Sequence, residues 1–240
     1  MTDEPAIKTD GVTKTFGRTV ALRDLDLVVE RGEVYCYVGP NGAGKTTTID
    51  LLVDYERPTS GSIELLGIDP RQDPVAVGER VGVVPEAFGL FDRLTGQEHV
   101  EFAIQSNQAT DDPDELLDKL GLGEVADDRV TTYSNGMQKR LVVAMAMVGN
   151  PEVLVLDEPF SGLDPDGRRL VEELVRAERE RGTTVFLSSH NLTEVESVAD
   201  RVGLLLDGTL RIDGTLAELR READVPGDAP LSDVYARLTT

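Results

Sequence analysis

The order of apolar and polar positions divides the chain into short strands and longer helices. Leu25, Leu27 and Val29 alternate with Asp26 and Val28, the period-two pattern of a half-buried strand, and residues 20–22 join the same β layer. Val34-Tyr35-Cys36-Tyr37-Val38 is a β-prone run with the character of a buried strand, and 46–53 after it has helical periodicity. Pro58-Thr59-Ser60-Gly61 is a turn signal before a strand over 62–66, and 81–84 predicts another strand. From Glu86 to about Asn150 the pattern becomes helical. Thr95 with Glu98 predicts a capping box, and Asp112-Pro113 predicts an N-cap and first-turn pair for a helix running to Leu120. A third helix, rich in Leu, Val, Ala and Met, is expected over 134–148. Strand signals return at 153–156 and 185–188, with an amphipathic helix over 166–179 between them. Segments 202–206 and 210–212 flank Asp207-Gly208-Thr209, a hairpin turn, and Pro226-Gly227-Asp228 marks a loop before a short last helix.

Strands alternating with helices imply a mainly parallel sheet covered on both faces, with a helical lobe inserted into it. The expected division is an α/β core over 1–85 and 151–216, a helical subdomain over 86–150 and a short tail over 217–240. A chain of 240 residues can bury a substantial core as one large domain.

Charge changes the picture of the surface. Forty-five acidic against 24 basic residues give a net charge of −21, the acids are spread along the chain, and only five of the bases are Lys. Such a surface repels itself in dilute buffer, and at molar salt the Debye length of about 3 Å screens most of that repulsion. Scattered Asp and Glu with scarce Lys therefore point to a salt-rich cytoplasm, against the alternative of an acidic protein from a GC-rich genome. The same charge opposes general nucleic-acid binding, which needs a basic footprint. The longest wholly apolar run, Leu141 to Val148, is far short of the ~20 residues that span a bilayer. Met1-Thr2-Asp3-Glu4-Pro5 has no signal-peptide character, and the lone Cys36 excludes an internal disulfide. A soluble cytoplasmic protein is expected.

Gly39-Pro40-Asn41-Gly42-Ala43-Gly44-Lys45-Thr46-Thr47 fits the pattern G-x-x-x-x-G-K-[ST] between a buried strand and a helix. Glycines let successive N–H groups point at one phosphate chain, Lys45 can reach the β- and γ-phosphates, and the Thr46 hydroxyl can ligate Mg²⁺. A helix N-terminus facing the phosphates adds to this. Leu154-Val155-Leu156-Asp157-Glu158-Pro159 is the second informative segment. An apolar strand ending in Asp-Glu places carboxylates at the sheet's carboxyl edge, where open α/β folds bind ligands. Asp157 suits the Mg²⁺-side carboxylate, and Glu158 would orient and polarise the attacking water.

With these motifs in this order, the chain resembles the nucleotide-binding subunit of ABC transporters over nearly its whole length. The resemblance implies ATP and Mg²⁺ as cofactors. It also implies a P-loop NTPase core with an N-terminal antiparallel β layer and an inserted helical subdomain. Phe16 lies where the family stacks an aromatic ring on adenine, although a core Phe near a turn would look the same. Tyr133-Ser134-Asn135-Gly136-Met137 resembles the family's signature segment, often LSGGQ, with Ser134 and Gly136 kept. Physically, Ser134 opens a helix and its neighbouring N–H groups could face a phosphate; taken alone it serves equally as a plain N-cap. Ser161-Gly162-Leu163-Asp164 resembles the D-loop linking two sites of a dimer, and His190 resembles the switch histidine that contacts the γ-phosphate. His99 falls in an expected exposed first helical turn and receives no role. Where many relatives carry a Mg²⁺-sensing Gln, this chain has Glu86 after Val83-Val84-Pro85, which can still ligate Mg²⁺ but adds negative charge.

The resemblance further implies two copies packed head to tail, each ATP held between one P-loop and the other copy's signature segment. A separate integral membrane permease would then be driven from the inner face of the cell membrane. The Pro85-Glu86 pair and a tail over 231–238 resemble drug and polysaccharide export ATPases. A soluble ABC ATPase acting on nucleic acid or ribosomes is the rival reading, and it lacks the usual coiled coil, zinc finger or basic patch. A P-loop kinase or GTPase is disfavoured by the signature segment and by Glu158.

Overall fold

The computed structural model describes residues 4–238, so the first three residues of the segment read as lacking signal-peptide character and the last two residues of the expected tail lie outside it. In chain order the strands are β1 (Ile7–Phe16), β2 (Thr19–Val29), β3 (Val34–Val38), β4 (Ser60–Leu65), β5 (Val81–Val84), β6 (Val153–Leu156), β7 (Thr184–Ser189), β8 (Arg201–Leu206) and β9 (Thr209–Thr215). The helices are α1 (Lys45–Leu52), α2 (Pro74–Gly78), α3 (Gly96–Ser106), α4 (Pro113–Lys119), α5 (Asn135–Ala146), α6 (Pro165–Glu180), α7 (Leu192–Val198), α8 (Leu216–Glu222) and α9 (Leu231–Leu238). None of them is long and apolar enough to cross a membrane.

Two sheets form. The larger has the order β5-β6-β7-β3-β8-β9, parallel throughout except for the antiparallel β9 at its edge. The smaller, β2-β1-β4, is antiparallel. All five residues of β3 are buried, as a strand covered on both faces requires. Its alternate side chains feed two separate cores. Val34, Cys36 and Val38 pack with the helical region, while Tyr35 and Tyr37 pack with Phe186, α1 and the antiparallel layer. The α/β fold with its antiparallel layer and inserted helices is therefore as expected.

Local signals account for most elements. Leu25, Leu27 and Val29 are buried while Val28 is exposed, and β2 runs without a break from Thr19, joining the two pieces read separately. The capping box of α3 forms, with Glu98 N–H donating to Thr95 Oγ1 at 3.1 Å and Thr95 N–H donating to Glu98 Oε2 at 2.8 Å. Asp112 caps α4 through the Asp114 N–H at 2.9 Å. Asp207 and Gly208 both take positive φ, 49° and 74°, as a tight hairpin between β8 and β9 demands.

One strand carried no sequence signal, and one expectation fails. The long strand β1 has no clean period because its register shifts between Thr9 and Val12 and again on either side of Lys14. Gly11 sits at the first irregularity with φ 56°, its N–H donating to Asp26 Oδ1 at 2.7 Å. His99 is buried, at 1% exposure, rather than exposed. Its Nδ1 lies 2.7 Å from the Thr95 carbonyl, and its Nε2 accepts the Phe91 N–H at 2.9 Å. The ring thus links the first turn of α3 to the preceding loop, as a neutral imidazole with one donor and one acceptor can.

Candidate nucleotide site

β3 delivers the chain to the carboxyl edge of the larger sheet, where residues 39–44 curl before α1. The tightness has causes at two glycines. A Cβ on Gly39 would lie 2.4 Å from the Leu205 carbonyl oxygen. Gly44 has φ 111°, and its Cβ would lie 2.8 Å from both the Ala21 oxygen and Leu22 Cδ2. Gly44 is also the N-cap of α1, so no side chain caps that first turn and its N–H groups are available to an anion.

Lys45 Nζ donates to the Gly39 carbonyl at 2.8 Å and stands 3.4 Å from Glu158 Oε1, with both side chains nearly buried. Thr46 Oγ1 is 3.4 Å from Glu86 Oε2. A cleft of about 340 Å³ opens over this loop, lined by residues 19–21 of the β1–β2 hairpin, by Asn41, Gly42, Gly44, Lys45, Thr46 and Thr47, and by Glu86 and Glu158. That volume is in the range that takes a small-molecule ligand.

The two carboxylates lie at the end of β6. Asp157 is 1% exposed, and its N–H donates to the Val84 carbonyl at 2.8 Å, tying it to β5. Its Oδ1 accepts from the Ser188 hydroxyl, while Oδ2 is buried with no hydrogen-bond partner. Burial pushes the Asp157 carboxyl up from the usual range; the Ser188 and Thr46 hydroxyls oppose the shift, and the Glu86 and Glu158 charges add to it.

Glu158 is held from several directions. Its φ is 48°, an uncommon conformation for a non-glycine residue. Its N–H donates to Ser188 Oγ at 2.9 Å, and its C=O accepts from Lys139 Nζ at 2.8 Å and from the Ser161 N–H at 3.1 Å. Its Oε2 lies 3.0 Å from His190 Nδ1. Lys139 is itself buried; burial pushes its ammonium down, and the nearby Asp157, Glu158 and Glu86 charges oppose that.

The fold thus gathers Gly39 to Thr47, Glu86, Asp157, Glu158 and His190 in one place. It does not bring Phe16 or the 133–137 segment into the cleft. Phe16 is 45% exposed at the tip of β1, with Lys14 Nζ 4.6 Å from its ring centroid. Ser134 caps α5 by accepting the Met137 N–H at 3.2 Å and is exposed together with Asn135. The segment is anchored beneath by Tyr133, whose hydroxyl donates to the Val125 carbonyl at 2.6 Å. Gly136 faces the 161–164 loop, since its Cβ would lie 3.6 Å from the Gly162 oxygen.

Ser188 and Lys139 escaped sequence reasoning. Leu156 pairs with Leu187 in the parallel register of β6 and β7, which sets Ser188 beside Asp157. That register, once known, would have found Ser188. Lys139 carried a fainter signal, as one of only five lysines.

A phosphate-binding loop with paired carboxylates at the carboxyl edge of a doubly covered sheet, joined to an antiparallel layer and a helical insertion, defines an ATP-binding cassette ATPase. The ABC transporter family model matches residues 22–161, and the chain belongs to that family as an ATP-binding, ATP-hydrolysing subunit. It is 39% identical over 220 residues to the daunorubicin/doxorubicin resistance ATP-binding protein DrrA of Streptomyces peucetius, covering 90% of this chain and 67% of that one. A solved ATP-binding subunit of an ABC transporter superposes with a TM-score of 0.90 at 28% identity, over 98% of this chain and 100% of the other. A solved dimer of an ATP-binding cassette, in a post-hydrolysis state with ADP and phosphate, matches with a TM-score of 0.79 at 25% identity, over 87% and 98%.

Proposed function

We propose that this subunit powers an exporter by binding and hydrolysing Mg²⁺-ATP in a site shared between two copies, and that it docks on a separate membrane permease at the inner face of the cell membrane. The observation that carries the reading is the position of Glu158, buried at the strand end between Lys45 and His190. A carboxylate so placed beside a phosphate-binding lysine can orient and polarise a water for attack on a γ-phosphate. Similarity to a drug-resistance ATP-binding protein supports export.

The residues divide the work. Main-chain N–H groups of the Gly39 to Thr47 loop (Pro40, which has none, only shapes the turn) and the Lys45 ammonium hold the triphosphate. Arrival of the γ-phosphate competes for Lys45, which loosens its pairing with Glu158 and frees that carboxylate for water. His190, already against Glu158, contacts the γ-phosphate and holds the base in place. Phe16, exposed at the hairpin tip beside the cleft, stacks on adenine. The donor set fits Mg²⁺: hydroxyl and carboxylate oxygens from Thr46, Asp157 and Glu86, with Asp157 Oδ2 buried and unpartnered. Bound there, the ion would neutralise charge on the phosphates.

Ser134, exposed, and Gly136, half-buried, both outside the cleft, serve the partner copy's nucleotide, which makes the working unit a head-to-tail homodimer. The solved cassette dimer supports this. Residues 86–150 act as a helical subdomain carrying Ser134, on a core of 1–85 and 151–216 with a tail over 217–240. The net charge of −21 fits a halophilic cytoplasm and leaves nucleic acid out of the partners. The test is Glu158→Gln, which should keep ATP affinity and lower turnover about 10²–10⁴-fold. Near-normal hydrolysis by that variant would refute the role of Glu158.

A further inference from the structure

Glu158 is pinned from several elements, and its contact with Lys139 has no part in the mechanism above. Its N–H is held by Ser188 of β7, and its side chain by Lys45 of α1 and by His190 just beyond β7. Its carbonyl oxygen is held by Lys139 Nζ at 2.8 Å and by the Ser161 N–H at 3.1 Å. Lys139 lies in the second turn of α5, the helix whose N-cap is Ser134. The side chain is 5% exposed, so a buried ammonium spends its hydrogen bond on one main-chain oxygen. A buried charge needs such a partner, and the geometry it fixes is strict.

The backbone being fixed is not one a glutamate adopts freely, since Glu158 has φ 48°. Left-handed conformations at functional residues persist where surrounding contacts over-determine them. The Glu158 carbonyl is also where three segments meet: α5, the strand end bearing the carboxylate, and the 161–164 loop that Gly136 faces.

We infer that Lys139 is a positioning residue that locks the Glu158 backbone to the α5 helix, so that occupation of Ser134 by a partner's nucleotide is transmitted to the hydrolytic carboxylate through one rigid helical turn and one charged hydrogen bond. Lys139 does not touch substrate. It sets where the Glu158 carboxylate points and ties the helix capped by Ser134 directly to the strand end that bears that carboxylate. The inference rests on the proposed role of Glu158.

The experiment compares Lys139→Met, Lys139→Arg and Glu158→Gln in the full chain at molar KCl, by steady-state ATP hydrolysis, by binding of a fluorescent ATP analogue, and by amide exchange without nucleotide. Lys139→Met should lower kcat about 100-fold, as an ångström-scale displacement of a catalytic group does, while leaving KM and analogue affinity within about threefold. Exchange should rise at the peptide spanning 157–163 and stay unchanged along α5. Lys139→Arg, which keeps a charged donor, should recover most of the kcat. A Lys139→Met variant with wild-type kcat and wild-type exchange at 157–163 overturns the inference, provided Glu158→Gln is inactive. Equal loosening of α5 and the 157–163 peptide, with kcat and affinity falling together, also overturns it, because that is a folding role. If Lys139→Met does not fold, Lys139→Arg decides: a properly folded arginine variant with kcat as low as Glu158→Gln rejects the positioning role, and near-normal kcat supports it. Normal turnover by Glu158→Gln removes the base itself and is a separate failure.

Discussion

Replacing Ser188 by alanine removes one hydroxyl that bonds both the Asp157 carboxylate and the Glu158 main chain. Ser188 is fully buried, donates to Asp157 Oδ1 and accepts the Glu158 N–H at 2.9 Å. The variant leaves that N–H and that oxygen unpaired, next to an Asp157 Oδ2 that already has no partner. Each unsatisfied buried group costs about 1–3 kcal/mol, so Ser188→Ala should destabilise the free protein by about 2–4 kcal/mol. For a domain of this size that is a fall in Tm of about 5–15 °C. The pH dependence gives a second handle. The Asp157 carboxyl is already raised, chiefly by burial, and Ser188 is among the groups holding it down. Removing the hydroxyl raises it further. A carboxyl whose folded pKa exceeds its unfolded one contributes stability at low pH, lost as pH rises through the folded value. The deficit of Ser188→Ala should therefore be smaller at acidic pH than at neutral pH. Thermal unfolding of both proteins in molar KCl across that range measures it. A deficit under about 1 kcal/mol, or one that grows on acidification, would refute the reasoning.

Other outcomes follow from the same geometry. His99→Ala should cost about 2–4 kcal/mol, because it strips Phe91 N–H and the Thr95 carbonyl of a buried partner and leaves a cavity. Its nucleotide affinity should match the parent, as measured by titration with a fluorescent ATP analogue. The charge of −21 should make the Tm climb steadily between dilute and molar KCl; a flat response would contradict the halophilic reading.

Much of the fold was legible because its signals are local. The buried run at 34–38, the glycine loop, the caps at Thr95 and Asp112, and the Asp207-Gly208 turn each depend on a few adjacent residues. β1 was not legible, because its bulges break the alternation that marks a strand. α7 and α8 were missed although Asn191 and Thr215 cap them, since neither has the first-turn proline that marked the equally short α4. In the site, Lys45, Asp157 and Glu158 stood out as motif residues. Ser188 and Lys139 did not, because their importance lies in register and in packing between elements far apart in the chain. His99 was misjudged for the same reason: its partner at Phe91 belongs to a loop with no sequence pattern of its own.

The claim that one ATP is shared by two copies has a direct measurement. Lys45→Met disables the phosphate loop and Ser134→Arg blocks the signature segment, so each variant alone should be inactive. In a mixed dimer, the Ser134→Arg chain supplies an intact phosphate loop and the Lys45→Met chain an intact signature, which restores one complete site. Equal mixtures should regain ATP hydrolysis to about a quarter of the parent rate, since random pairing makes half the dimers mixed with one good site each. Mixed dimers verified by mass that hydrolyse no faster than the separate variants would contradict the shared site.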